Sequence, residues 1–193
     1  MRKLCYFVAI SIDGYIAAPD GTYEDFNPGP EYIALLKEHF PETLPKPALD
    51  AFGIDSTVEN VRFDTVVSGR NTYEVGAKVG LTDQYPRLRQ YVVSSSMSGQ
   101  PDPAVKLISG NPVAAIRELK KEDGKDIYLC GGATLAQALM SEIDELIVKV
   151  NPVVLGSGIP LFSGGYEPRR FEFVEGWSGS DVQIMRYAKV KVS

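Results

Sequence analysis

Val66-Val67-Ser68-Gly69-Arg70-Asn71-Thr72-Tyr73-Glu74 carries an apolar run of strand character into a glycine and then directly into the start of a helix. The free N–H groups at a helix N-terminus and the positive end of its dipole favour an anion there. Gly69 lets the backbone approach a ligand closely, and the guanidinium of Arg70 suits two-point contact with a phosphate. The stretch therefore reads as a strand-to-helix turn of an α/β sheet, with Gly69, Arg70, Asn71 and Thr72 as candidate phosphate ligands. Plain α/β packing uses the same local pattern, so the rest of the chain has to choose between the two.

A second stretch repeats the logic. Ile127 to Cys130 leads into Gly131-Gly132-Ala133-Thr134-Leu135, again strand, glycine and helix start. Two such turns in one sheet can grip two ends of one ligand, a pyrophosphate lying against bare backbone. A third strand end, Tyr91-Val92-Val93-Ser94-Ser95-Ser96, adds three hydroxyls suited to a phosphorylated ribose. No GxGxxG follows the first strand, and no P-loop is present.

Composition narrows the class. With 193 residues and 44% hydrophobic content the chain reads as one domain, residues 1–193, around one core. Twenty basic against 25 acidic residues give a net charge of −5, and no basic run exceeds two residues, which argues against nucleic acid as a partner. Cys5 and Cys130 both sit in apolar runs and read as buried free thiols, which fits a reducing cytoplasm. A single histidine, His39, argues against zinc. Arg2-Lys3 before Leu4 to Ile10 imitates a short leader, but Asp13 and Gly14 interrupt it, and no stretch approaches the ~20 apolar residues of a membrane span. Leu4 to Ile10 is read as a buried first strand.

The remaining pattern gives strands at Thr65 to Ser68, Tyr91 to Ser94, Val105 to Ile108, Asp126 to Cys130, Glu145 to Val150, Phe171 to Trp177 and Asp181 to Val192. Helices fit Glu31 to His39, Thr57 to Arg62, Asn71 to Ala77, Pro112 to Lys121 and Gly132 to Met140. The last two strands have no helix between them and read as an antiparallel hairpin. Pro41, Pro45 and Pro47 mark residues 41–55 as an inserted loop over a site or an interface.

Four motifs in order, Ser11-Ile12-Asp13-Gly14-Tyr15-Ile16-Ala17, the Gly69-Arg70 turn, the Gly131-Gly132 turn and Asn151-Pro152-Val153-Val154-Leu155-Gly156-Ser157-Gly158-Ile159-Pro160-Leu161-Phe162, resemble the dihydrofolate-reductase-like superfamily. Among its members the chain is most similar to the reductase domain of bacterial bifunctional deaminase-reductases of riboflavin biosynthesis, which carry the last run where dihydrofolate reductases lack it. The fold implied is a mixed, mostly parallel sheet flanked by helices. The resemblance implies an NADPH-dependent reductase of the 5-amino-6-(5-phosphoribosylamino)uracil type, with dihydrofolate or pterin reduction, or a non-catalytic nucleotide-binding homodimer, as alternatives. It places the nicotinamide against Ala9, Ile16 and Ala17 and the pyrophosphate between Arg70, Asn71, Thr72 and Gly131 to Leu135. The adenosine 2′-phosphate is expected near Arg70 and Ser94, Ser95 and Ser96. Gly131-Gly132 is expected to be a cis peptide. Asp13 matches the riboflavin-type acid and is the candidate catalytic residue, as a substrate contact or as a turn stabiliser. Gly53 falls where dihydrofolate reductases carry a helix acid, with Asp50 and Asp55 as nearby substitutes. Lys46 and Arg62 are candidates for a ribose 5-phosphate. No deaminase zinc motif is present, and a homodimer binding a small heterocycle is expected.

Overall fold

Leu4–Ile10 forms β1 at the middle of an eight-stranded sheet, and its side chains alternate between two cores. Cys5 and Phe7 point to one face and Leu4, Tyr6 and Val8 to the other. The protein is described from a computed structural model covering residues 1–26, 28–55, 58–99 and 101–190. After β1 come β2 (Tyr15–Ala17), α1 (Pro30–His39), α2 (Lys46–Phe52), β3 (Phe63–Gly69) and α3 (Arg70–Ala77). Then follow β4 (Arg89–Val93), β5 (Val105–Ile108), α4 (Pro112–Lys121), β6 (Asp126–Gly131) and α5 (Ala133–Ala138). The chain closes through β7 (Glu145–Val150), β8 (Ile159–Pro160), β9 (Phe171–Ser178) and β10 (Gln183–Lys189).

The sheet order is β5-β4-β3-β6-β1-β7-β10-β9. Its first six strands are parallel, β10 runs antiparallel to β7, and β9 pairs antiparallel with β10, as the hairpin reading expects. Tyr32 and Leu36 of α1 and Leu49 of α2 cover the Phe7 face. Ile116 and Leu119 of α4 with Leu135 and Ala136 of α5 cover the Tyr6 face. Tyr73 seats α3 against Val92 and Val105. The carboxyl ends of β1, β3, β4 and β6 therefore open together at one end of the sheet, where ligands bind in such folds.

Three sequence expectations are corrected. Residues 41–55 are not an inserted loop: Pro41–Thr43 is a 3-10 turn, α2 follows, and Phe40, Leu44 and Leu49 belong to the core. Prolines at the N-cap and second position start α2, and Gly53 at φ 60 ends it in the left-handed region. Gly53 is thus a helix stop, not the place of a helix acid. Thr57 to Arg62 is the second: Thr57 lies outside the described residues, and 58–62 are not helical. The buried Glu42 carboxylate accepts from the N–H groups of Val61, Arg62 and Phe63 at 3.1, 2.7 and 2.7 Å, fixing the bend that leads into β3. The last strand is also shorter than read, ending at Lys189, and residues 191–192 lie outside the described residues. The two-stranded pairing of β2 with β8, Tyr15 opposite Pro160 and Ala17 opposite Ile159, was not legible as strands.

Candidate active site

β3 and β6 are parallel neighbours with Ser68 opposite Gly131, so their glycine turns emerge side by side. A Cβ added to Gly69 would lie 3.7 Å from Leu135 Cβ, 3.8 Å from the Gly131 carbonyl and 3.8 Å from Gly132 N. Gly131 has φ +118, a conformation side chains rarely adopt, and its peptide bond to Gly132 is cis, as the resemblance implies. A Cβ on Gly132 would meet only Thr72 Oγ1, at 3.4 Å. The starts of α3 and α5 therefore face one another across Thr72.

Neither of these helices has a side-chain cap, since Gly69 and Gly132 occupy the N-cap positions. α4 shows the contrast: Asn111 Oδ1 accepts from Val113 N at 2.9 Å and Ala114 N at 3.2 Å. The first N–H groups of α3 and α5 are left for a ligand or solvent. Ala133 and Leu135 bury their side chains, so they can offer only backbone N–H, whereas Thr134 also exposes its hydroxyl.

Arg70 and the serine turn also meet. Arg70 Nη1 donates to Ser96 Oγ at 2.8 Å and Nε to Glu74 Oε1 at 2.5 Å, which holds a half-exposed guanidinium between the starts of α3 and of the 94–97 turn. Ser94 is buried, and its Oγ accepts from Ser96 N at 3.3 Å and Met97 N at 3.0 Å. It shapes the turn, and the exposed Ser95 and Ser96 face outward from it.

The segment after β1 is clamped by the 151–162 run. Ile12 N donates to the Val153 carbonyl at 2.8 Å and Leu161 N to the Gly14 carbonyl at 3.1 Å. Asp13 is exposed, and its carboxylate accepts from Ser11 Oγ at 2.6 Å, Leu155 N at 3.1 Å and Gly156 N at 2.7 Å. The Ser11 hydroxyl, with these two N–H groups, holds its carboxyl below the ordinary 3.8. The Asp13 carboxylate is thus an acceptor engaged by groups of its own turn and of the 151–162 run. Asn151 Nδ2 donates to the carbonyls of Ile10 and Lys149 at 3.2 and 3.0 Å, and Tyr6 OH to that of Leu161 at 3.2 Å. Ala9, Ile16 and Ala17 lie along this clamped segment, Ala17 buried and the other two half-buried.

Residues 2–183 match the model of the RibD C-terminal domain. The chain belongs to the RibD C-terminal domain family. It is 38% identical over 165 residues to the uncharacterized protein YwjB of Bacillus subtilis (strain 168), covering 83% of each. Its fold is shared with a diaminohydroxyphosphoribosylaminopyrimidine deaminase/5-amino-6-(5-phosphoribosylamino)uracil reductase of Thermotoga maritima, at TM-score 0.64 and 15% identity, over 98% of this chain and 57% of that one. It is shared too with a dihydrofolate reductase of Enterococcus faecalis complexed with NADP(H), at TM-score 0.66 and 17% identity, over 98% and 97% of the two chains.

In this RibD C-terminal domain three further groups stand out. Arg62 is at the opposite end of the sheet from the glycine turns, bound to Glu145 and, at 3.3 Å, to Asp126, so it is not available to a phosphate there. Behind Gly131, Tyr128 OH donates to Cys130 Sγ at 3.1 Å and Tyr85 OH lies 3.4 Å from the same sulfur, and burial raises both phenols. Lys149, which sequence reasoning passed over, is buried at the site end of β7, its Nζ 4.0 Å from the centre of the Phe7 ring. The available signal was a lone cation inside the apolar run Glu145 to Val150, two residues before Asn151-Pro152.

Proposed function

We propose that residues 1–193 act as one NADPH-dependent reductase unit that transfers a hydride to a small heterocyclic substrate of the ribosylaminopyrimidine kind. The observation that carries this reading is the meeting of two bare glycine turns, where a Cβ on Gly69 would lie within 4 Å of Gly131 and Gly132, each turn opening an uncapped helix. A dinucleotide fits what the chain offers: backbone space at Gly132, the Thr72 and Thr134 hydroxyls, and a guanidinium at Arg70. When bound, the cofactor supplies a hydride to an electrophilic carbon of the substrate.

The chain's own part is binding and orientation. N–H groups of Asn71 and Thr72 on one side, and of Ala133, Thr134 and Leu135 on the other, hold the pyrophosphate. Arg70, with Ser95 and Ser96 on a turn shaped by Ser94, takes the 2′-phosphate and sets a preference for NADPH. Ala9, Ile16 and Ala17 form the apolar seat of the nicotinamide. Asp13 holds that seat in place through its bonds to Leu155 and Gly156. The unpaired thiols support a cytoplasmic setting. The exposed Phe173 and Val174 on the edge strand β9 support a homodimer.

The test is NADPH oxidation by the purified chain, alone and with 5-amino-6-(5-phosphoribosylamino)uracil or dihydrofolate added. Turnover with the pyrimidine and a thermal shift with NADPH are expected. A thermal shift with no turnover on any heterocycle would make the protein a binding module, and turnover on dihydrofolate alone would make it a folate reductase.

A further inference from the structure

Cys130, Tyr85 and Tyr128 form a polar cluster inside an otherwise apolar wall. Tyr128 OH donates to Cys130 Sγ at 3.1 Å, Tyr85 OH lies 3.4 Å from the same sulfur, and the two phenol rings meet edge to face with centroids 5.8 Å apart. Phe7 and Phe63 pack around them, their ring centroids 5.5 and 5.7 Å from that of Tyr128. Burial raises both phenols well above their ordinary 10, so each keeps its proton at neutral pH and can point it at the sulfur. Tyr128 is buried, whereas Tyr85 and Cys130 are only half-buried, which gives the cluster one open side.

Of the three, Cys130 stands at the ligand end of the sheet, directly before Gly131 at the close of β6. It packs on the core face of Phe7, the face to which Ala9 also belongs by alternation along β1. Leu129 pairs with Tyr6, so Cys130 is level with Phe7 and two residues short of Ala9, about 8 Å from it, one strand spacing across and two residues along. A substrate ring lying on a nicotinamide at Ala9 spans that gap. Hydride arriving at a C=O or C=N carbon leaves an electron pair on the oxygen or nitrogen, which must take a proton. We propose that the Cys130 thiol gives that proton, with Tyr85 and Tyr128 as positioning residues whose hydroxyls hold the thiolate left behind. This rests on the reductase reading for the substrate and for the place of the nicotinamide. In the step the S–H bond breaks, an O–H or N–H bond forms on the substrate, and the electron pair left on sulfur meets two O–H donors already in place. Solvent returns the proton to sulfur when the product leaves.

The test is steady-state kinetics of the full chain with NADPH and 5-amino-6-(5-phosphoribosylamino)uracil. Cys130→Ala is expected to lower kcat at least about a hundredfold and to leave KM and the NADPH Kd within about twofold of the parent. Cys130→Ser keeps a hydrogen-bonding group in place but is a far weaker acid, so it should stay as slow as Cys130→Ala; a cysteine with a merely structural role would let serine restore kcat. Tyr85→Phe and Tyr128→Phe should each lower kcat about tenfold at unchanged KM, the worth of one charge-assisted hydrogen bond. A second readout needs no turnover. Iodoacetamide should alkylate Cys130 of the apoprotein and spare the fully buried Cys5, the two phenylalanine variants should slow that reaction, and NADP+ together with the pyrimidine should block it. Serine restoring kcat, a loss of kcat that appears in Lys149→Met and not in Cys130→Ala, or alkylation undiminished by NADP+ and the pyrimidine overturns the proposal. No turnover by the parent on any heterocycle overturns the reductase reading and the proposal together, whereas full turnover by Cys130→Ala overturns the proposal alone.

Discussion

Replacing Gly132 by alanine separates a ligand cradle from ordinary helix packing. Gly132 has φ −96, which any residue adopts, and the added methyl carbon would touch one atom, Thr72 Oγ1, at 3.4 Å, an ordinary contact. Nothing in the protein competes for that space, so the apoprotein should change stability by no more than about 0.5 kcal/mol, or about 1–2 °C for a chain of this size. A pyrophosphate between α3 and α5 would need the same space. Displacing it by a methyl group should weaken NADPH about ten- to a hundredfold, roughly 1.4–2.8 kcal/mol. Gly131→Ala is the internal contrast: φ +118 strains any side chain, so about 1–3 kcal/mol of stability should disappear with no cofactor present. Melting temperature and NADPH titration on the same samples read both effects. If Gly132→Ala destabilises the apoprotein yet keeps its NADPH affinity, the turn is a packing device and the cradle reasoning is refuted.

Other substitutions test the remaining parts. Arg70→Ala should weaken NADPH about ten- to a hundredfold, the worth of a charge-assisted phosphate contact, and leave NADH nearly unchanged; equal losses would move Arg70 to the pyrophosphate. At Gly158 an added Cβ would lie 2.2 Å from the Ala17 carbonyl, so Gly158→Ala must part β2 from β8 at a cost of about 1–3 kcal/mol, visible as an earlier urea midpoint. An unchanged midpoint would show that the clamp is dispensable. Burial alone would raise the Glu145 carboxyl, but Lys3, Arg62 and Arg186 hold it below the ordinary 4.5. A depressed carboxyl stabilises the fold above its unfolded value, and that contribution is lost as pH falls through the lower folded value, so unfolding should set in with acid below about pH 4.5. Glu145→Gln should cost about 3–5 kcal/mol at neutral pH by leaving Arg62 and Arg186 without their shared anion, and should flatten the acid dependence. A neutral-pH stability equal to that of the parent would contradict it.

Local chemistry made much of this protein legible in its sequence. β1, β5, β7 and α4 fall where the apolar runs and the Asn111-Pro112 helix start place them, because continuous apolar stretches between breakers leave few alternatives. The 151–162 run pointed to the family, and both glycine turns carried their backbone requirements in plain view. Residues 41–55 were misread because proline signals a helix start as readily as a loop, and only burial against Phe40 and Leu44 distinguishes them. Tertiary structure alone decided what depends on partners far apart in the chain. Glu42 fixes the entry to β3 from about 20 residues away. Asp13 spends its carboxylate on N–H groups 142 and 143 residues later. A residue's type fixes which bonds it can make, but whether those bonds are already made is settled by the groups that folding brings within about 3 Å of it.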